Sequence, residues 1–143
     1  AAEPAPTPTN TAAGLAADSA ARHARILAVD DDPDVVIIIR TYLEPLGYEI
    51  STATHAAQAL EVAAAEPFDL VLCDIGMPKH SGIEVCRLMR QGGYRGKFVL
   101  MTGWDRKSFN VEDRSDGWEA VLKKPFVGAE LIHVIDSVLR RSR

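Results

Sequence analysis

Five short, largely apolar stretches alternate along this chain with stretches of helical pattern, and that alternation limits its fold more than any other feature. Ile26–Val29, Tyr48–Ala53, Asp69–Cys73, Lys97–Met101 and Ala120–Leu122 are predicted strands. Leu70-Val71-Leu72-Cys73 is short, apolar and without polar alternation, the pattern of a strand covered on both faces.

The intervening segments carry helix signals. Asp32 is a plausible N-cap and Pro33 suits a first helical position, opening a helix through Val35–Leu46 that Gly47 stops. Val35, Ile38, Tyr42 and Leu46 keep helical spacing and are expected to face the core, leaving Val36 and Ile37 outside. Pro45 requires the last turn to be already loosened. His55–Glu66 is Ala-rich and helical, and Gly82–Gln91 ends at Gly92-Gly93. Gly128–Arg140 lines up Leu131, Val134, Ile135, Val138 and Leu139 on one side. Residues 105–116 are polar with few apolar anchors, and predict a short or poorly formed fourth helix. Strands and helices in this alternation make right-handed βαβ units. The expected fold is α/β and flavodoxin-like: a five-stranded parallel sheet of order 2-1-3-4-5 with helices on both faces.

Residues 1–22 are rich in Ala, Pro and Thr and poor in large apolar side chains, so they read as a flexible tail or linker before a domain spanning 23–143. A linker implies an upstream domain in the same chain. The net charge of -4 carries no electrostatic footprint of a nucleic-acid binder. No apolar run reaches membrane-spanning length. The two cysteines, Cys73 and Cys86, form no metal spacing or disulfide framework, which fits a reducing, cytoplasmic setting.

In a parallel sheet all strand carboxyl ends open on one edge. That edge would gather Asp30 and Asp31 from the first strand, Asp74 from the third, Thr102 from the fourth and Lys124 from the fifth. Three neighbouring carboxylates repel one another, so without a cation one of them should have a raised pKa. A hard ion held by oxygen ligands resolves this, and the pattern suits Mg²⁺. A lysine and a threonine beside such an ion suit a phosphoryl group, and a carboxylate can accept one as an acyl phosphate.

Four motifs on successive strand ends, VDDDP, DIGMPKHSG, MTG and KKPF, resemble the receiver domain of two-component response regulators. The resemblance spans about Arg25 to Arg140. It implies a phosphorylation-dependent signalling switch in which Asp74 accepts phosphate from a histidine kinase or histidine phosphotransfer protein. It also implies that Asp30, Asp31, Asp74 and the Gly76 carbonyl hold Mg²⁺, that Thr102 is the switch hydroxyl, and that Lys124 bridges to the phosphoryl group. Such a domain is not an enzyme in the ordinary sense, but promotes its own phosphotransfer and autodephosphorylation. The Lys124-Pro125 peptide is expected to be cis.

Three residues bear on timing and readout. Val121 occupies a position where the family usually has an aromatic or histidine, so an aromatic rotamer switch is unavailable. Gly76 offers no side chain over the phosphate, whereas Trp104 is large enough to shield it. A phosphatase resembling the haloacid dehalogenases is the alternative enzyme. It needs a general acid two residues after the nucleophile, where this chain has Gly76. A receiver serving only as a binding module would lack a site residue, and none is missing.

Overall fold

The computed structural model describes residues 24–77, 79–103 and 117–140. The strands are β1 (Arg25–Val29), β2 (Glu49–Ala53), β3 (Leu70–Asp74), β4 (Lys97–Thr102) and β5 (Ala120–Lys123). The α-helices among the described residues are α1 (Pro33–Leu43), α2 (Ala56–Ala65), α3 (Gly82–Gln91) and α4 (Gly128–Arg140). All four strand pairings among the described residues are parallel, in the order β2-β1-β3-β4-β5. The flavodoxin-like expectation holds.

Side chains alternate across the central strands, so each face of the sheet receives its own core. Leu27, Val29, Val71, Cys73, Phe98 and Leu100 pack with Ala59 of α2 and Val85, Cys86 and Met89 of α3. On the other face Ile26, Ala28, Leu70, Leu72, Val99 and Met101 pack with Ile39 and Leu43 of α1 and Leu131, Ile135 and Val138 of α4. Both cysteines are free and buried.

Helix ends follow local chemistry. Asp32 caps α1 by accepting from the Asp34 N–H at 3.0 Å, as expected. Pro45 falls in a 3₁₀ turn, Glu44–Leu46, closed by Gly47 at φ 100°, so the α-helix stops at Leu43 rather than running through Leu46. A tighter turn tolerates proline where an α-helical hydrogen bond would be lost. His55 caps α2 through Nδ1, 3.2 Å from the Gln58 amide. Ser81 and Glu84 form a reciprocal capping box on α3, both bonds at 3.2 Å.

One helix face departs from expectation. In α1 the buried residues are Ile39 and Leu43, whereas Ile38 and Tyr42 are 40% and 44% exposed. Val35 and Leu46 are partly buried and pack on the core as expected, and Ile37 lies outside at 59% exposed. Val36 is half-buried rather than outside. Five successive apolar residues, Val35 to Ile39, leave the helix phase open, and docking on β1 and α4 selects it.

Candidate functional site

β1 and β3 lie side by side, with Val29 paired to Cys73, so the residues that follow both strands converge on the sheet edge. Asp30, Asp31 and Asp74 each offer a carboxylate oxygen there, all within 4.8 Å of one another. Asp30 is fully buried and Asp74 nearly so, while Asp31 faces solvent. The Lys124 Nζ sits between the two buried acids, 2.8 Å from Asp30 Oδ2 and 3.0 Å from Asp74 Oδ1. Asp30 Oδ1 accepts from the Asp32 amide at 2.9 Å, which ties the acid to the cap of α1.

The electrostatics follow from this packing. Burial pushes the Asp30 carboxyl above its ordinary value, against the Lys124 and Asp32 hydrogen bonds that lower it, and the Asp74 charge adds to the rise. The expected raised carboxyl pKa is therefore present, but desolvation outweighs like-charge repulsion in producing it. Burial works to lower the Lys124 ammonium, yet hydrogen bonds and charge from Asp30 and Asp74 outweigh it and raise that group. Burial likewise holds the Cys73 thiol well above its usual range, so it stays an apolar filler beneath the site.

A divalent cation fits this donor set. The three ligand atoms are all carboxylate oxygens, and two of the three acids are buried, where a cation would offset the cost of their charge. Oxygen-only ligation with one solvent-facing acid leaves room for coordinated water, the arrangement that suits Mg²⁺.

Two strand ends complete the edge. Thr102 is the last residue of β4, one beyond the Asp74–Met101 pairing, and is fully buried. Its Oγ1 lies 3.5 Å from the Gly103 carbonyl, and its own carbonyl accepts from the Lys124 amide at 2.7 Å. The Lys124-Pro125 peptide is cis, as expected. Gly76, Gly103, Lys124, Phe126, Val35 and Ile38 join Asp74 around a cavity of about 830 Å³.

Acidic pair, central aspartate, threonine and lysine thus meet on one edge of a parallel sheet of order 2-1-3-4-5. Residues 26–136 match the response regulator receiver domain. The chain belongs to this family. The receiver is 34% identical over 118 residues to the alkaline phosphatase synthesis transcriptional regulatory protein PhoP of Bacillus subtilis (strain 168), covering 82% of this chain and 49% of that protein. It is 37% identical over 119 residues to the response regulator MprA of Mycobacterium leprae (strain TN), covering 83% and 52%. The chain therefore spans about half the length of these curated relatives. Among solved structures, the chemotaxis response regulator CheY4 of Vibrio cholerae is similar with a TM-score of 0.74 and 27% identity, over 80% of this chain and 98% of that one.

Every residue singled out from the sequence as a site candidate reaches this edge, except that Trp104, residues 105–116 and the tail 1–22 lie outside the described residues. Val121 is partly buried against the core of the α2–α3 face. The motif DIGMPKHSG ends on Gly82, but sequence reasoning gave that glycine no role. A Cβ built there would stand 2.4 Å from the Asp74 carbonyl oxygen and 2.9 Å from its carbon, so only glycine lets α3 start against the acid-bearing strand end. The Ser-Gly pair opening α3 was the available signal. Among the described residues no helix is long and apolar enough to cross a membrane.

Proposed function

We propose that Asp74 accepts a phosphoryl group from a phosphohistidine, and that Asp30, Asp31, Thr102 and Lys124 assist the transfer. The observation that carries this reading is the Lys124 ammonium held between Asp30 and Asp74 at 2.8 and 3.0 Å, beside a third carboxylate. An Asp74 oxygen attacks phosphorus. The P–N bond to the donor imidazole breaks, its electron pair leaves on nitrogen, and that nitrogen takes a proton from water. Lys124 then meets a phosphoryl oxygen, exchanging one anionic partner for another, and the Thr102 hydroxyl meets a second after turning from the Gly103 carbonyl. Bound by Asp30, Asp31, Asp74 and the Gly76 carbonyl, Mg²⁺ would supply positive charge to the phosphoryl oxygens.

The donor is a histidine kinase or histidine phosphotransfer protein. The cavity rim supports docking over α1: Val35 and Ile38 line it, and Ile37 is exposed alongside. The same site catalyses its own dephosphorylation. Gly76 is exposed and carries no side chain, which leaves the acyl phosphate open to water.

Incubation with acetyl phosphate and Mg²⁺, followed by intact mass, tests the reading. Wild type should gain one acid-labile phosphate and Asp74→Asn none. No gain in wild type, or equal gain in both, would overturn it.

A further inference from the structure

We propose that Arg90, at the pole of the sheet opposite the acids, is a positioning residue for Lys124. The inference rests on the assignment of Lys124 to the phosphoryl site. Arg90 lies in the last turn of α3, with its side chain 22% exposed. Its guanidinium donates to three carbonyls: Tyr94 at 3.1 Å, Gly96 at 2.6 Å and Gly117 at 2.6 Å. It also stands 3.5 Å from Glu119 Oε1 and stacks over the Tyr94 ring at 5.3 Å. One side chain thus ties the end of α3 to the loop entering β4 and to the residues entering β5.

β5 needs that anchor. It has four residues, stands at the sheet edge and, among the described residues, pairs with β4 alone. Its entry is fixed by an exchange with β4: the Glu119 amide donates to the Phe98 carbonyl and the Phe98 amide to Glu119 Oε1, both at 2.7 Å. Arg90 holds that same Oε1 and the Gly117 carbonyl. Gly117 is fitted to it twice over, by a φ of +98° and by Arg90 Nε only 2.9 Å from where a Cβ would sit. Five residue steps of extended chain, roughly 16 Å, separate Glu119 from Lys124. A short edge strand anchored at one end transmits a shift along its length, because register slips move every side chain it carries. At the far end the Lys124 amide bonds the Thr102 carbonyl at 2.7 Å, so the lysine and the threonine would move together.

A four-protein comparison tests this: wild type, Arg90→Lys, Lys124→Gln and the double variant, each assayed with acetyl phosphate and Mg²⁺ at a temperature where circular dichroism shows all four folded. Lysine keeps the charge but cannot fork to three carbonyls. Arg90→Lys should slow phosphorylation at saturating donor roughly tenfold, the scale expected of a sub-ångström misplacement of a catalytic group. In the Lys124→Gln background the same change should slow it by less than about twofold, since its effect runs through the missing lysine. Equal slowing in both backgrounds, or none in folded Arg90→Lys, would overturn the proposal. Should Arg90→Lys fail to fold, Glu119→Gln keeps the Phe98 acceptor, loses the ion pair, and must show the same background dependence. Faster amide exchange at Lys124 in Arg90→Lys is expected whether or not phosphate is taken up. Unchanged exchange refutes the positioning role even if the phosphoacceptor reading itself fails.

Discussion

Replacing Gly82 with alanine should damage both the fold and the phosphoryl site. The added Cβ would lie 2.4 Å from the Asp74 oxygen, where ordinary contact begins at 3.4 Å, so strand and helix must part by about 1.0 Å (3.4 − 2.4). Neither yields easily. The start of α3 is held by its capping box and by the Gly82 amide bonded to the Ile75 carbonyl at 3.0 Å. β3 is fixed between β1 and β4. Overpacking of this kind costs about 1–3 kcal/mol, against a gain of about 1 kcal/mol from alanine's helix propensity. The net loss is about 0–2 kcal/mol, which lowers Tm by up to roughly 8 °C for a domain of this size. Displacement of Asp74 should slow phosphorylation by acetyl phosphate by about 10- to 100-fold. Gly92→Ala, at the other end of the same helix, is the control. Its Cβ would meet the Leu88 and Met89 carbonyls at an ordinary 3.5 and 3.6 Å, and its φ is −81°. Gly82→Ala with wild-type Tm and a rate within about twofold of Gly92→Ala would refute the steric argument.

Other outcomes follow from the same geometry. Asp30→Asn should raise Tm at pH 7 without divalent ions while abolishing tight Mg²⁺ binding, measured by calorimetry. The Asp30 pKa is raised in the fold, so the folded state holds that proton more tightly than the unfolded chain. Its stability contribution is therefore fully present below the ordinary 3.8 and lost as pH rises through the raised value, and the advantage of Asp30→Asn should vanish below 3.8. Lys124→Met leaves a buried carboxylate without its cation and should cost about 3 kcal/mol in urea denaturation at pH 7. The Lys124 pKa is raised too, so its ion pairing should stabilise fully below the ordinary 10.5 and be lost as pH rises through the folded value, a loss absent from Lys124→Met. Ile37→Glu should slow phosphotransfer from the cognate phosphohistidine donor but not from acetyl phosphate; equal slowing of both would end the docking argument.

Most of the architecture was legible because its signals are local. Short apolar runs ending in Asp30, Asp74, Thr102 and Lys123-Lys124 show both the strands and the edge on which their carboxyl ends open. Strand order follows from parallel pairing, since β1 and β3 must adjoin for the acids to meet. The phase of α1 was not legible: Val35 to Ile39 are apolar on every side, and docking on β1 and α4 selects Ile39 and Leu43 for burial. Gly82 and Arg90 escaped for a related reason. A glycine needed for a close approach looks like any turn glycine, and an arginine that donates to three carbonyls looks like a surface arginine. Their roles exist only once distant segments touch.

Chemical mapping of the phosphorylated residue tests the central claim most directly. Borohydride reduction converts an aspartyl phosphate to homoserine, and peptide mass spectrometry locates it. After treatment with acetyl phosphate and Mg²⁺, homoserine should appear at position 74 and nowhere else. Homoserine at position 30 or 31, or incorporated phosphate with none at position 74, would contradict the account.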